Sequence, residues 1–182
     1  MPANDHSRLA FVDIDGDGWD DIVTTNMTGD HLTKPFEHLI YRNLGDGTFA
    51  SFGEESGLRT VQSAFLAFGD VDNDGDQDAF AAADPGGSGA RGIAVELLLN
   101  DGAGHFTTQL DTGLSPVSDR GSLAGNAVFA DFNGDGNLDL FVGNGATAAQ
   151  APDQLFFGNG KGRFTEVSAN LPGAITRRSN GS

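Results

Sequence analysis

An all-β fold of three repeated four-stranded units follows from three features of the sequence. A nine-residue acidic loop recurs three times, a Gly-rich turn recurs in phase with it, and the apolar residues between them fall in short strand-length runs. The loops are Asp13-Ile-Asp-Gly-Asp-Gly-Trp-Asp-Asp21, Asp70-Val-Asp-Asn-Asp-Gly-Asp-Gln-Asp78 and Asp131-Phe-Asn-Gly-Asp-Gly-Asn-Leu-Asp139, spaced by 57 and 61 residues. The turns are Asn43-Leu-Gly-Asp-Gly-Thr-Phe49, Asn100-Asp-Gly-Ala-Gly-His-Phe106 and Gly158-Asn-Gly-Lys-Gly-Arg-Phe164, starting 30, 30 and 27 residues after their loops. Two unrelated motifs holding one phase define a tandem repeat, with units of about 9–58, 59–115 and 116–172 and a tail at 173–182.

Each unit reads as four strands. Phe11-Val12, Phe65-Leu-Ala-Phe68 and Val128-Phe-Ala130 lead into the loops; Ile22-Val-Thr-Thr25, Ala79-Phe80 and Leu140-Phe-Val142 leave them. Short apolar or β-branched runs bounded by Gly and Asp are the strand signal. Ala81-Ala-Ala83 favours helix, but Pro85 and the two glycines after it leave no room for one. Third strands at Leu39-Ile-Tyr41, Glu96-Leu-Leu-Leu99 and Leu155-Phe-Phe157 run into the Gly-x-Gly turns, and fourth strands open at Phe49, Phe106 and Phe164. The segments 26–38, 84–94 and 143–153, variable in length and rich in Gly, Pro and Asp, are expected to be surface connectors. Four strands per unit of about 60 residues is the pattern of a β-propeller blade. Closed propellers have about four or more blades, so three predict a partial propeller or a fragment of a larger one. The strand edges of an incomplete ring favour self-association or completion by additional blades of a longer chain.

The 182 residues carry a formal charge of −16, and half of the 26 acidic residues lie in the three loops. Nothing basic enough to neutralise phosphates is present, Arg177-Arg178 being too short, so nucleic acid is not an expected partner. The absence of Cys excludes disulfides and thiolate metal sites. No signal peptide is visible in Met1–Arg8, and no apolar run approaches the ~20 residues of a membrane span.

Crowding carboxylates into nine residues is unfavourable unless a cation sits among them. Calcium takes 6–8 oxygens of mixed type. Loop positions 1, 3, 5 and 9 supply them: Asp13, Asp15, Asp17 and Asp21; Asp70, Asp72, Asp74 and Asp78; Asp131, Asn133, Asp135 and Asp139. Gly at position 6 permits the sharp turn and frees the position 7 carbonyl, of Trp19, Asp76 or Asn137, as a further ligand. Magnesium demands tighter octahedral geometry, and zinc prefers the His and Cys that the loops lack. About three calcium ions per chain are expected. The side chains of Asp20 and Asp76 add to the local negative field, and Trp19, the sole Trp, is read as packing on its own blade. An EF-hand is excluded because position 12 holds Thr24, Ala81 or Val142 and the flanks are strands.

These loops resemble the FG-GAP and VCBS repeats found in integrin α-chain propellers and many bacterial surface proteins, over about residues 9–167. The resemblance implies calcium at the turn between the first two strands of each blade, held by the residues named above. The Gly-Ala-Pro element of FG-GAP repeats is reduced to Ala83-Asp-Pro85 in one unit and Val142-Gly-Asn144 in another. The VCBS-like form is the closer match, and integrin-like cell adhesion does not follow from it.

No nucleophile elbow, phosphate loop or His-Glu-x-x-His motif occurs. His6, His31, His38 and His105 are scattered, and His105 stands where the other turns have Thr48 and Arg163. The expectation is a non-catalytic, calcium-binding module that is extracellular or on the cell surface and binds a protein or glycan. Alternatives are the accessory portion of a larger secreted enzyme, such as a polysaccharide-degrading one, and a calcium buffer. The millimolar calcium outside cells suits structural loops of this kind.

Overall fold

A computed structural model of the chain describes residues 6–26, 37–59, 61, 66–82, 95–114, 124–144 and 153–172. Phe65, His31, the connector at 84–94, most of the other two connectors and the tail lie outside the described residues. Each repeat forms one antiparallel sheet with its strands in chain order. The first contains β1 (His6–Val12), β2 (Asp21–Asn26), β3 (Glu37–Asn43) and β4 (Phe49–Phe52). The second contains β5 (Leu66–Gly69), β6 (Asp78–Ala82), β7 (Val95–Asn100) and β8 (Phe106–Gln109), and the third β9 (Ala124–Ala130), β10 (Asp139–Asn144), β11 (Gln154–Gly158) and β12 (Phe164–Glu166). Apart from two single 3₁₀ turns, at Glu54–Ser56 and Ser168–Asn170, the described residues are strands and turns, as the sequence predicts of propeller-like blades. The acidic loops join the first and second strands, and the Gly-rich turns join the third and fourth.

Strand pairing places equivalent residues in one row across each sheet. On one face lie Phe11, Ile22, Tyr41 and Ser51; Phe68, Ala79, Leu98 and Thr108; Phe129, Leu140, Phe156 and Glu166. Side chains alternate along a strand, so the other face carries Ala10, Val23, Ile40 and Phe52 in the first sheet and Ala67, Phe80, Leu97 and Gln109 in the second. The second face of sheet one packs on the first face of sheet two: Val23, Ile40, Ala79 and Leu98 are all buried in one apolar cluster. The same geometry repeats between sheets two and three, where Phe80 and Leu97 meet Leu140 and Phe156. The sheets therefore stack face to face, each interface using the same repeat positions.

Aromatic pairs reinforce both layers. Phe68 meets Phe106 edge-on and Phe129 meets Phe164 at a tilt, their ring centres 6.4 and 6.3 Å apart. Gly113 is required where the segment after β8 passes against the Phe164 backbone of sheet three. Its φ is +77°, and a Cβ there would sit 2.1 Å from the Phe164 carbonyl oxygen. The neighbouring Thr112 carbonyl accepts the Phe164 N–H at 2.7 Å. His38 is buried in sheet one, with its Nε2 3.1 Å from the Val61 carbonyl oxygen. A carbonyl only accepts, so Nε2 carries the proton, and burial lowers the imidazole pKa to about 4.

Candidate metal centre

Each acidic loop folds around its own carboxylates. The position 1 side chain accepts N–H groups from positions 5 and 6: Asp13 from Asp17 and Gly18, Asp70 from Asp74 and Gly75, and Asp131 from Asp135 and Gly136, all between 2.8 and 3.2 Å. Position 5 accepts the N–H of position 7, Asp17 from Trp19, Asp74 from Asp76 and Asp135 from Asn137. These bonds close the loop only if position 6 enters the left-handed region. Gly18, Gly75 and Gly136 do so, at φ +89°, +102° and +87°.

The ninth position does more than close a cage. Asp21, Asp78 and Asp139 are completely buried. In each, Oδ2 accepts the N–H of loop position 2 (Ile14, Val71 or Phe132) at 2.9–3.1 Å. Oδ1 accepts the N–H opening the Gly-rich turn (Asn43, Asn100 or Gly158) at 2.7–3.0 Å. One carboxylate thus latches the loop to the end of the third strand, which explains why the two motifs hold phase along the chain. Burial pushes the Asp78 carboxyl up to about 6, against the lowering effect of its two backbone donors. Burial also raises Asp21 and Asp72, the latter with help from neighbouring Asp74. Asp131, exposed and accepting three backbone N–H groups, is held below the usual carboxylate range, chiefly by Gly136.

Carboxylate oxygens converge within 4.8 Å of one another in two sets, Asp13 with Asp15 and Asp21, and Asp70 with Asp72 and Asp78. Asp17 and Asp74, at position 5, stand outside these sets. No such set of acids forms in the third loop among the described residues. There Asn133 replaces the acid, and its amide group donates to Asp135 while its oxygen accepts the Asp135 N–H. Oδ1 of Asp15 and Oδ1 of Asp72 are buried without a hydrogen-bond partner, while Oδ2 of Asp15 lies against the Arg42 guanidinium. Buried carboxylate oxygens left bare cost several kcal/mol unless a cation neutralises them. The donor set is all oxygen and each orphaned atom belongs to a residue of a converging set, so the residues fit a hard divalent ion such as calcium.

Position 7 side chains lie against the turns, which calls for glycine there. A Cβ on Gly45 would fall 2.5 Å from the Trp19 indole nitrogen, and on Gly102 2.5 Å from the Asp76 carboxylate. Trp19 is thus seated on the β3–β4 turn of its own blade while staying half-exposed. Sequence reasoning missed Arg42. Its guanidinium lies against the Asp15 carboxylate, through Nε, and 3.8 Å from Asp17. The equivalent residues of the other repeats are Leu99 and Phe157. A basic residue breaking the apolar pattern at one repeat was the available signal.

No helix among the described residues is long and apolar enough to cross a membrane. Comparison with curated proteins gives no match. The FG-GAP-like repeat family matches twice, at residues 13–81 and 70–142. Each match begins on the first Asp of a loop and ends in the second strand of the next repeat, so all three loops fall inside the matched span. The chain belongs to the FG-GAP-like repeat family.

Proposed function

We infer that this protein is a non-catalytic, calcium-stabilised propeller module acting as a binding scaffold for a protein or glycan at or outside the cell surface. The observation that carries the calcium reading is the convergence of acids in two loops, each set containing a buried carboxylate oxygen without a hydrogen-bond partner, Oδ1 of Asp15 and Oδ1 of Asp72. The ligands would be Asp13, Asp15, Asp17 and Asp21 in the first loop and Asp70, Asp72, Asp74 and Asp78 in the second. In the third they would be Asp131, Asn133, Asp135 and Asp139, with the position 7 carbonyls of Trp19, Asp76 and Asn137 completing the shells. Calcium would neutralise each loop and hold its hairpin in register, adding folding free energy by binding the native state alone. Extracellular calcium is abundant enough to fill sites of Kd ~10⁻⁴–10⁻³ M, which supports the location. The rigid blades would then display their connectors to a partner.

Calorimetric titration of chelator-stripped protein tests this: calcium should saturate near three ions per chain, and Asp74→Ala should remove one. Magnesium at equal concentration should bind more weakly. A stoichiometry of zero, or one unchanged in Asp74→Ala, overturns the assignment.

Arg42 sets the first loop apart. Its charge competes with an incoming cation, so Arg42→Leu should tighten calcium binding at that loop by up to about fivefold, the ~1 kcal/mol reach of a partly exposed ion pair. Titrations of the variant and the parent protein would differ in one site only; identical curves would mean that the guanidinium yields the site at no cost.

A further inference from the structure

Each acidic loop is tied to the next blade through its second residue. In the first loop the Ile14 N–H donates to Oδ2 of Asp21 at 3.1 Å. The Ile14 carbonyl accepts the side-chain amide of Asn100, in the second blade's Gly-rich turn, at 2.8 Å. Asn100 in turn gives its backbone N–H to Oδ1 of Asp78 at 3.0 Å. Three hydrogen bonds thus lead from the ninth position of one loop to the ninth position of the next, and Asp21, Ile14, Asn100 and Asp78 are all buried. The Gly104 N–H donates to Oδ1 of Asn100 at 3.1 Å, which fixes the orientation of the amide. Asn100 also holds the Gln77 carbonyl, just as Asn43 in the first blade holds that of Asp20. The other amide hydrogen of Asn100 is the one that crosses between blades. At the next junction the backbone alone makes the contact: the Val71 carbonyl accepts the Gly162 N–H at 3.2 Å, and Gly158 stands in the place of Asn100.

We propose that the first two loops take up calcium with positive cooperativity, and that Asn100 is the positioning residue that couples them. The inference rests on the calcium reading of these loops. Without an ion, converging acids with bare buried oxygens at Asp15 and Asp72 drive each loop open. A loop that opens loosens the hold of its ninth carboxylate on the second residue. Filling the first loop fixes Asp21, and through it Ile14 and the carbonyl that Asn100 grips. Asn100, so held, keeps its backbone N–H where Asp78 needs it. The second loop is then already ordered when its ion arrives, so the ordering cost of the shared residues falls on the first ion alone. Linkage makes the effect reciprocal: filling the second loop helps the first by the same factor.

A calorimetric cycle tests this, starting from Asp135→Ala, which silences the third loop. Adding Asp72→Ala leaves the first loop active, and adding Asp15→Ala leaves the second. The product of the two calcium association constants in the two-loop protein should exceed the product of the single-loop constants by about fivefold or more, the ordinary span of coupling between sites. Repeating the cycle with Asn100→Ala should bring this ratio to about one. Mere loss of stability would weaken every constant together and leave the ratio standing. Asn100→Asp, which keeps an acceptor for Gly104 and removes the amide donor, replaces the alanine variant if that variant does not fold. A ratio near one in the first cycle, with each loop still taking its ion, overturns the coupling and leaves the metal reading intact. A ratio that survives substitution of Asn100 overturns the role of that residue. Absence of calcium uptake in all of these proteins overturns the metal reading and the coupling with it.

Discussion

Asp78→Ala should cost roughly 3–6 kcal/mol of folding stability, enough to unfold the central blade or the whole chain. Asp78 is completely buried and takes two backbone N–H groups, from Val71 at 2.9 Å and Asn100 at 3.0 Å. Hydrogen bonds to a charged group contribute about 1.5–3 kcal/mol each, and alanine leaves both donors buried and unsatisfied. Whole-domain stabilities are only about 5–15 kcal/mol. Most of this loss should persist in chelator, because it lies in the latch between loop and turn and not in the metal. Asp74→Ala supplies the contrast: Asp74 is exposed and accepts a single loop N–H, so its loss should show only when calcium is present. Asp78→Asn keeps one acceptor oxygen and should fall between the two. Denaturant melts with and without calcium separate these cases, and an Asp78→Ala variant within 1 kcal/mol of the parent would remove the latch.

That latch shows where sequence reasoning reaches and where it stops. The strand order, the three loops and their Gly-rich turns were legible because they rest on local signals: alternation, Asp clusters and glycines at left-handed positions such as Gly75 and Gly136. The phase between loop and turn was visible too, but its cause was not. The second partner of Asp78 lies 22 residues away, and only the fold brings the Asn100 N–H to it. Burial was the least legible property. Phe11 and Phe68 occupy the same repeat position in similar local sequence, yet one is bare and the other packed. Their difference depends on whether another sheet lies alongside, which no local pattern encodes. Arg42 falls between these cases. Its position was readable as an interruption of an apolar site, but its approach to Asp15 needs the β2–β3 register, which pairs Ile22 with Tyr41 and so sets the next residue of β3 beside the loop.

Calcium should raise the melting temperature at pH 7 by on the order of 10 °C, and this increment should shrink as the pH falls to 5. At a calcium concentration ten times Kd, each site contributes about 1.4 kcal/mol. Three sites then give roughly 4 kcal/mol, and a chain of this size gains about 2–4 °C per kcal/mol. The pH dependence follows from Asp78. Its carboxyl titrates near 6 in the folded, metal-free chain and near 3.8 when unfolded. Between those values the folded state holds the extra proton, so this group's contribution to stability rises as pH drops from about 6 to about 4. Calcium needs the ionised carboxylate and must displace that proton, so the metal's advantage weakens over the same window. Asp21 and Asp72, raised in the same direction, act with it. His38 works the other way, because its folded pKa near 4 lies below the ordinary 6.5 and stability is lost as pH falls through that range. It does so equally with and without calcium, so it tilts both melting curves and cancels from their difference. Asp131, held low, loses its stabilisation only at more acidic pH. The measurement is therefore the gap between calcium-loaded and chelated melts at pH 7, 6 and 5: a gap that stays constant or widens toward pH 5 would mean that the buried ninth-position carboxylate does not exchange a proton for the metal.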